Sequence, residues 1–129
     1  MRCSMGDPIF ILIIAILLKH WLLDFVFQPP WMWMNKGTYG HPGGLAHAWW
    51  HGVATFTLLV FFTSVGVAVA LVVIEMFIHY HVDWVKMRTN AVMGWKCNKH
   101  PEFWWLTGFD QFLHYLTYVF AISVVVSGG

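Results

Sequence analysis

The chain has 129 residues, 59% of them hydrophobic and 10% charged, with a formal net charge of +1. So apolar a composition excludes an ordinary soluble domain and reads as a membrane protein, and the lack of any basic run excludes a nucleic-acid partner. Cys3 and Cys97 are too few for a disulfide framework and belong to no Cys-x-x-Cys pair, so the sequence offers nothing for redox or thiolate-zinc chemistry.

Taken in chain order, the apolar stretch from Ile9 to Leu18 follows Arg2 and mimics a signal peptide, yet no small-x-small cleavage site comes after it. It is expected to be retained. A helix crossing a hydrocarbon layer of ~30 Å needs ~20 residues. Residues 8–27 supply that length, with Asp7 as the expected N-cap, Pro8 at the first helical position and Gln28-Pro29-Pro30 as the stop. From Leu45 to Val85 there is no Lys or Arg. That stretch is about twice one span, which predicts two helices, 45–63 and 67–87, joined by a tight turn at Thr63-Ser64-Val65-Gly66. A fourth span is expected over 104–126.

The segments between, Trp31 to Gly44 and Met87 to Trp104, read as interfacial loops, with Trp31, Trp33, Trp49, Trp50, Trp104 and Trp105 as an aromatic belt. The expected architecture is all-α: a single-domain integral membrane four-helix bundle. Four spans place both loops on one side with Lys36, Arg88, Lys96 and Lys99, against only Arg2 on the other. The positive-inside rule then predicts both termini outside the cytoplasm.

Each expected span carries ionisable residues one turn apart: His20 and Asp24, His47 and His51, Glu75 with His79 and Asp83, Asp110 and His114. Positions i, i+4 and i+8 drift only ~40° per step, so His20, Asp24 and Gln28 form one stripe on the first helix. Counted from the loop-side ends, the four sets lie ~6 to 12 Å deep, at one level. A charge in hydrocarbon costs ~2.5 to 3.5 kcal/mol, so the stripes must face each other, water or an ion.

Imidazole and carboxylate groups on facing helices suit a divalent transition metal, zinc above all. The candidate ligands are His20, Asp24, His47, His51, His79, Asp83, Asp110 and His114. Eight groups exceed one tetrahedral shell, so the expectation is one or two ions, with some carboxylates fixing imidazole tautomers instead of ligating. Gln28 and Glu75 are expected to support the site from one turn away. Interhelical hydrogen bonds of ~1 kcal/mol each would explain any one pair, but four pairs at matched depth favour metal or proton chemistry. Asp24 or Asp83 is the candidate general base, and Lys86, on the face of Glu75, His79 and Asp83, the candidate contact for an anionic substrate. The same residue count puts Lys19 ~13 Å and Glu75 ~18 Å from the loop side, within reach of each other as an ion pair. His41, His81 and His100 are expected in loops or on other faces.

The stretches HWLLDFVFQPPWMWMNK, HAWWH, HYHVDWVK and DQFLHYLTY, in that order, resemble a bacterial and phage family of small membrane proteins known only as domain of unknown function 3307. The resemblance implies a helical fold in a bacterial inner membrane. Its signature would be His20, Asp24, Gln28, Lys36, His47, His51, His79, Asp83, Lys86, Asp110, Gln111 and His114, which adds Gln111 to the supporting residues, and it brings no activity. A looser similarity is to membrane-bound metal-dependent hydrolases, which carry His-x-x-x-Asp pairs on membrane helices.

Three functions remain open at this point. The leading one is a metal-dependent hydrolase acting near the cytoplasmic interface on a lipid headgroup or lipid-linked phosphate, with Lys36 or Lys86 meeting its charge. The second is a metal or proton transporter, which four short helices could build only as a homo-oligomer and whose site would favour the bilayer midplane. The third is a non-enzymatic membrane-complex subunit holding a structural metal or a His-bound pigment.

Overall fold

Proline or serine stands at the start of every α-helix after the first. The computed structural model describes residues 6 to 128, with side chains from Pro8 onward. Helix α1, Gly6–Trp21, runs directly into a π-helical turn, Leu22–Val26, closed by the Phe27 amide donating to the Leu22 carbonyl at 2.7 Å. A single turn, α2, spans Pro30–Trp33. Helix α3, Pro42–Leu59, has proline in its first turn, and His41 caps it by accepting from the Gly43 amide at 3.0 Å. Ser64 caps α4, Val65–Met93, by accepting from the Val67 amide at 3.3 Å. Pro101 opens α5, Pro101–Val126.

The described residues are all helix and connection, with no strand among them. Three helices are long and apolar enough to cross a membrane: Pro8–Val26, Val65–Met93 and Pro101–Val126. The fourth long helix, α3, has 18 residues and packs against α4 and α1.

Several boundaries differ from expectation. Helix α1 begins at Gly6, so Asp7 lies within its first turn instead of capping it. Met87 to Met93, expected as loop, continues α4: its residues include no proline or glycine, and the first breaker is Gly94. There the backbone turns left-handed at φ 67°, a conformation glycine adopts without strain. The Gly94 amide returns to the Ala91 carbonyl and the Trp95 amide to the Asn90 carbonyl, the paired closure that ends helices at glycine.

Apolar residues from all four long helices meet at the end holding the α3–α4 turn, where Leu12, Ile16, Leu59, Ala68, Tyr118 and Val125 are buried. Lipid is as apolar as leucine, so helix association there depends on close packing. Gly52 shows how close: a Cβ at that position would lie 2.5 Å from Met76 Sδ and 3.2 Å from Val72 Cγ1. That approach of α3 to α4 carries His47 and His51 towards His79. Outward faces expose Phe10, Ile14, Phe77, Phe112 and Val119, side chains suited to contact with lipid. The polar residues occupy the interior of the other, loop-side end.

Candidate metal centre

The helical stripes turn inward and meet. All eight residues proposed as ligands are buried, with His51 fully inaccessible and His79 and His114 at 1% exposure. Asp24 is delivered by the π-helical turn, whose wider winding is often found at functional sites.

Four ligand atoms converge at the centre. Asp24 Oδ1 lies 2.9 Å from His47 Nε2, 3.1 Å from His51 Nε2 and 3.7 Å from His79 Nε2, and the His47 and His79 Nε2 atoms are 3.0 Å apart. A tetrahedral ion with bonds of ~2.0 to 2.1 Å needs ligand separations of ~3.3 to 3.4 Å, and the observed distances bracket that value. Hydrogen bonding alone serves these atoms poorly. An imidazole nitrogen carries one hydrogen at most, yet His47 Nε2 faces both a carboxylate oxygen and a second Nε2. His51 Nε2 and His79 Nδ1 have no hydrogen-bond partner although both are buried. An unpaired buried polar atom costs ~1 to 3 kcal/mol, and a cation at the shared point would satisfy His51 Nε2, whereas His79 Nδ1 lies on the far side of its ring from that point.

A second group, His79, Asp83 and His114, adjoins the first. Asp83 Oδ2 is 3.4 Å from both His47 Nε2 and His79 Nε2, and Asp83 Oδ1 is 3.4 Å from His114 Nε2. His79 belongs to both groups, and a neutral imidazole offers one lone pair. The two groups therefore compete for it, and one ion uses the cluster more fully than two.

The remaining expected residues surround this centre. His20 stands outside both groups, with each nitrogen engaged. Lys19 donates to the Tyr118 hydroxyl at 3.0 Å, which leaves the Tyr118 hydrogen for His20 Nδ1 at 2.9 Å. His20 then carries its hydrogen on Nε2 and donates to Gln111 Oε1 at 2.7 Å. The Gln111 amide in turn donates to Asp24 Oδ2 at 3.0 Å and Asp110 Oδ2 at 3.1 Å. Asp110, also outside both groups, accepts from Lys86 at 2.9 Å, and Gln28 donates to the Asp24 carbonyl at 2.5 Å. The Lys19–Glu75 pair anticipated from depth is formed, at 2.9 Å, and Lys19 also lies 3.3 Å from His51 Nδ1.

His41, His81 and His100 serve local structure elsewhere. His41 caps α3, His81 approaches the Phe77 carbonyl at 2.7 Å, and His100 accepts from the Lys96 amide at 3.1 Å. Residue reasoning gave no place to Tyr118 or Thr55, both buried inside the polar cluster's helices. Extending two stripes by one step would have found them, since 47, 51, 55 and 110, 114, 118 continue the i+4 pattern. Lys36 matters more than its loop position suggested: it is buried, 2.7 Å from Asp83 Oδ2 and 4.0 Å from Asp24 Oδ1.

Charge balance leaves room for a cation or for one protonated histidine. The interior holds the carboxylates of Asp24, Glu75, Asp83 and Asp110 against the ammonium groups of Lys19, Lys36 and Lys86. With neutral histidines the cluster is one positive charge short. A cleft of about 370 Å³ reaches it from the loop side, lined by Asp24, Gln28, Lys36, Lys86, Asn90 and Gln111 among others.

A model of the family described as protein of unknown function (DUF3307) matches residues 12–128. Neither a curated protein nor a solved structure matches the chain.

Proposed function

We propose that this chain, which belongs to the DUF3307 family, is an integral membrane metal-binding protein that hydrolyses an ester of an anionic lipid headgroup or lipid-linked phosphate at the cytoplasmic interface. One observation carries the reading: the convergence of three imidazole Nε2 atoms on Asp24 Oδ1 at separations of 2.9 to 3.7 Å. Zinc is the ion best suited to this donor set; when bound it would polarise a phosphoryl oxygen and lower the pKa of an attached water to ~7.

Four protein ligands fill the shell of a structural ion, so hydrolysis would need one of them to give up its place to water or the ion to take a fifth partner. The cleft favours chemistry, because it brings solvent and two lysines to Asp24. In this reading Asp83 would take a proton from an attacking water, its Oδ2 paired with Lys36 at 2.7 Å beside the His47 and His79 nitrogens. Lys36 and Lys86 would orient the anionic group. Transport fits less well: the polar cleft enters from the loop end, while the opposite end is closed by the apolar cluster of Leu12, Ile16 and Leu59.

Elemental analysis of protein purified in detergent, paired with release of phosphate from phosphatidic acid or a polyisoprenyl phosphate in mixed micelles, tests the reading. The expected result is about one zinc per chain, with phosphate release lost on chelation and in Asp83→Asn. Protein without bound metal would overturn it, and zinc-loaded protein inert towards both lipids would reduce the ion to a structural role.

A further inference from the structure

We infer that the loop-side cleft is one end of a continuous site for an anionic amphiphile, with a phosphate-type head between Lys36, Lys86 and Asn90 and an alkyl chain laid over Trp33, Met87 and Phe103. This rests on the metal reading and assigns the parts of the substrate to residues of this chain. Asn90 is the observation that points to a ligand. It is buried, 7% exposed, yet neither its Nδ2 nor its Oδ1 has a hydrogen-bond partner, and it lines the cleft. Gln28 Oε1, in the same wall, is also buried without a partner. Buried amides left unpaired are costly, and a ligand bearing both acceptors and a hydroxyl hydrogen would satisfy them.

Each lysine has donors to spare. Lys36 binds Asp83 at 2.7 Å and Lys86 binds Asp110 at 2.9 Å, so both ammonium groups are oriented while retaining hydrogens for an incoming oxygen. Around the head position the carboxylates of Asp24, Asp83 and Asp110 outnumber these two lysines by one. A divalent ion at the centre reverses the balance to one positive charge, which an anionic head neutralises. Metal loading should therefore strengthen anion binding.

The chain position comes from continuity. Trp33, Met87, Asn90 and Phe103 line both the polar cleft and a second, larger hollow of about 680 Å³ that runs on past Ala91 and Trp95. A ligand headed into the cleft thus leaves it over apolar side chains at the interface, without descending between the helices.

Isothermal calorimetry on zinc-loaded protein in maltoside micelles, with hexyl phosphate and inorganic phosphate as titrants, separates head from chain. Both should bind, hexyl phosphate at least ~10-fold more tightly, as expected for a few methylenes removed from water. Asn90→Leu should weaken both ligands ~10-fold with zinc content unchanged, and Trp33→Ala should remove only the advantage of the chain. Zinc-loaded wild type that binds neither ligand, or equal affinities for the two, would overturn the inference and leave the metal reading standing. Should the purified protein hold no zinc, the metal reading fails, and hexyl phosphate on that protein still decides: binding sensitive to Asn90 and Trp33 sustains the amphiphile site, and no binding overturns it.

Discussion

The histidines of this chain divide by what their second nitrogen touches. His47 and His79 turn Nε2 towards each other and towards Asp24 Oδ1, whereas His20 meets Tyr118 through Nδ1 and Gln111 through Nε2, the latter 3.2 Å from the other Asp24 oxygen. Replacing His47 or His79 with alanine should abolish metal retention after gel filtration. His20→Ala, which removes an orienting partner and no ligand, should weaken zinc binding ~10- to 100-fold yet leave it measurable by competition with a chelator. Equal losses from all three would return His20 to the ligand set. The Lys19–Glu75 pair makes a separate prediction. Leaving one buried charge uncompensated costs ~3 to 5 kcal/mol, while replacing both partners with apolar groups can be neutral. Lys19→Met or Glu75→Met alone should lower the thermal midpoint in detergent, and the double change should recover most of the loss. Additive losses would mean that the two residues act separately. The Lys19–Glu75 pair was legible in the sequence because it depends on depth along the helices, which residue counting measures. The distinction between His20 and His47 was not, since it depends on which ring nitrogen meets which neighbour across helices.

At the scale of elements, the spacing of ionisable residues and the lysine-free stretch foretold four long helices, but the last three begin two or three residues earlier than expected, at Pro42, Val65 and Pro101. The π-helical turn at Leu22–Val26 has no counterpart in the sequence pattern: LLDFV suits an ordinary α-helix, and within this turn Asp24 meets His47 and Gln111. The extent of α4 was also hidden, because Arg88, Thr89 and Asn90 look like loop residues but are tolerated in a helix until Gly94 ends it. Lys36 reaches Asp83 from the α2–α3 connection, a fold-back that periodicity cannot express. What brings α3 and α4 together is the small side at Gly52. Gly52→Val would force its branches against Met76 and Val72, an overpacking cost of ~1 to 3 kcal/mol. The variant should melt earlier in detergent and bind zinc less tightly, because His51 is the adjacent residue and must move with it. A variant as stable as wild type with unchanged zinc affinity would show that the two helices are not set by this contact.

The whole molecule is polarised along its length, with an apolar plug at the end of the α3–α4 turn and the charged centre, its cleft and most of the surface cations at the other. Composition made helices long and apolar enough to cross a membrane legible, but orientation needs a different argument. Lys36, Arg88, Lys96 and Lys99 all belong to the loop end, and Arg2 is the one cation expected opposite them. The excess of positive charge should hold the loop end in the cytoplasm, which places the cleft towards the cytoplasmic leaflet and both termini outside. Cys97 provides the probe, because it is exposed in the α4–α5 connection, whereas Cys3 lies outside the described residues. In a Cys3→Ser background, a membrane-impermeant maleimide added to intact cells should leave Cys97 unmodified, and permeabilisation should expose it. Labelling of Cys97 in intact cells would invert the protein, turn the cleft outward, and move the search for its anionic substrate to the opposite leaflet.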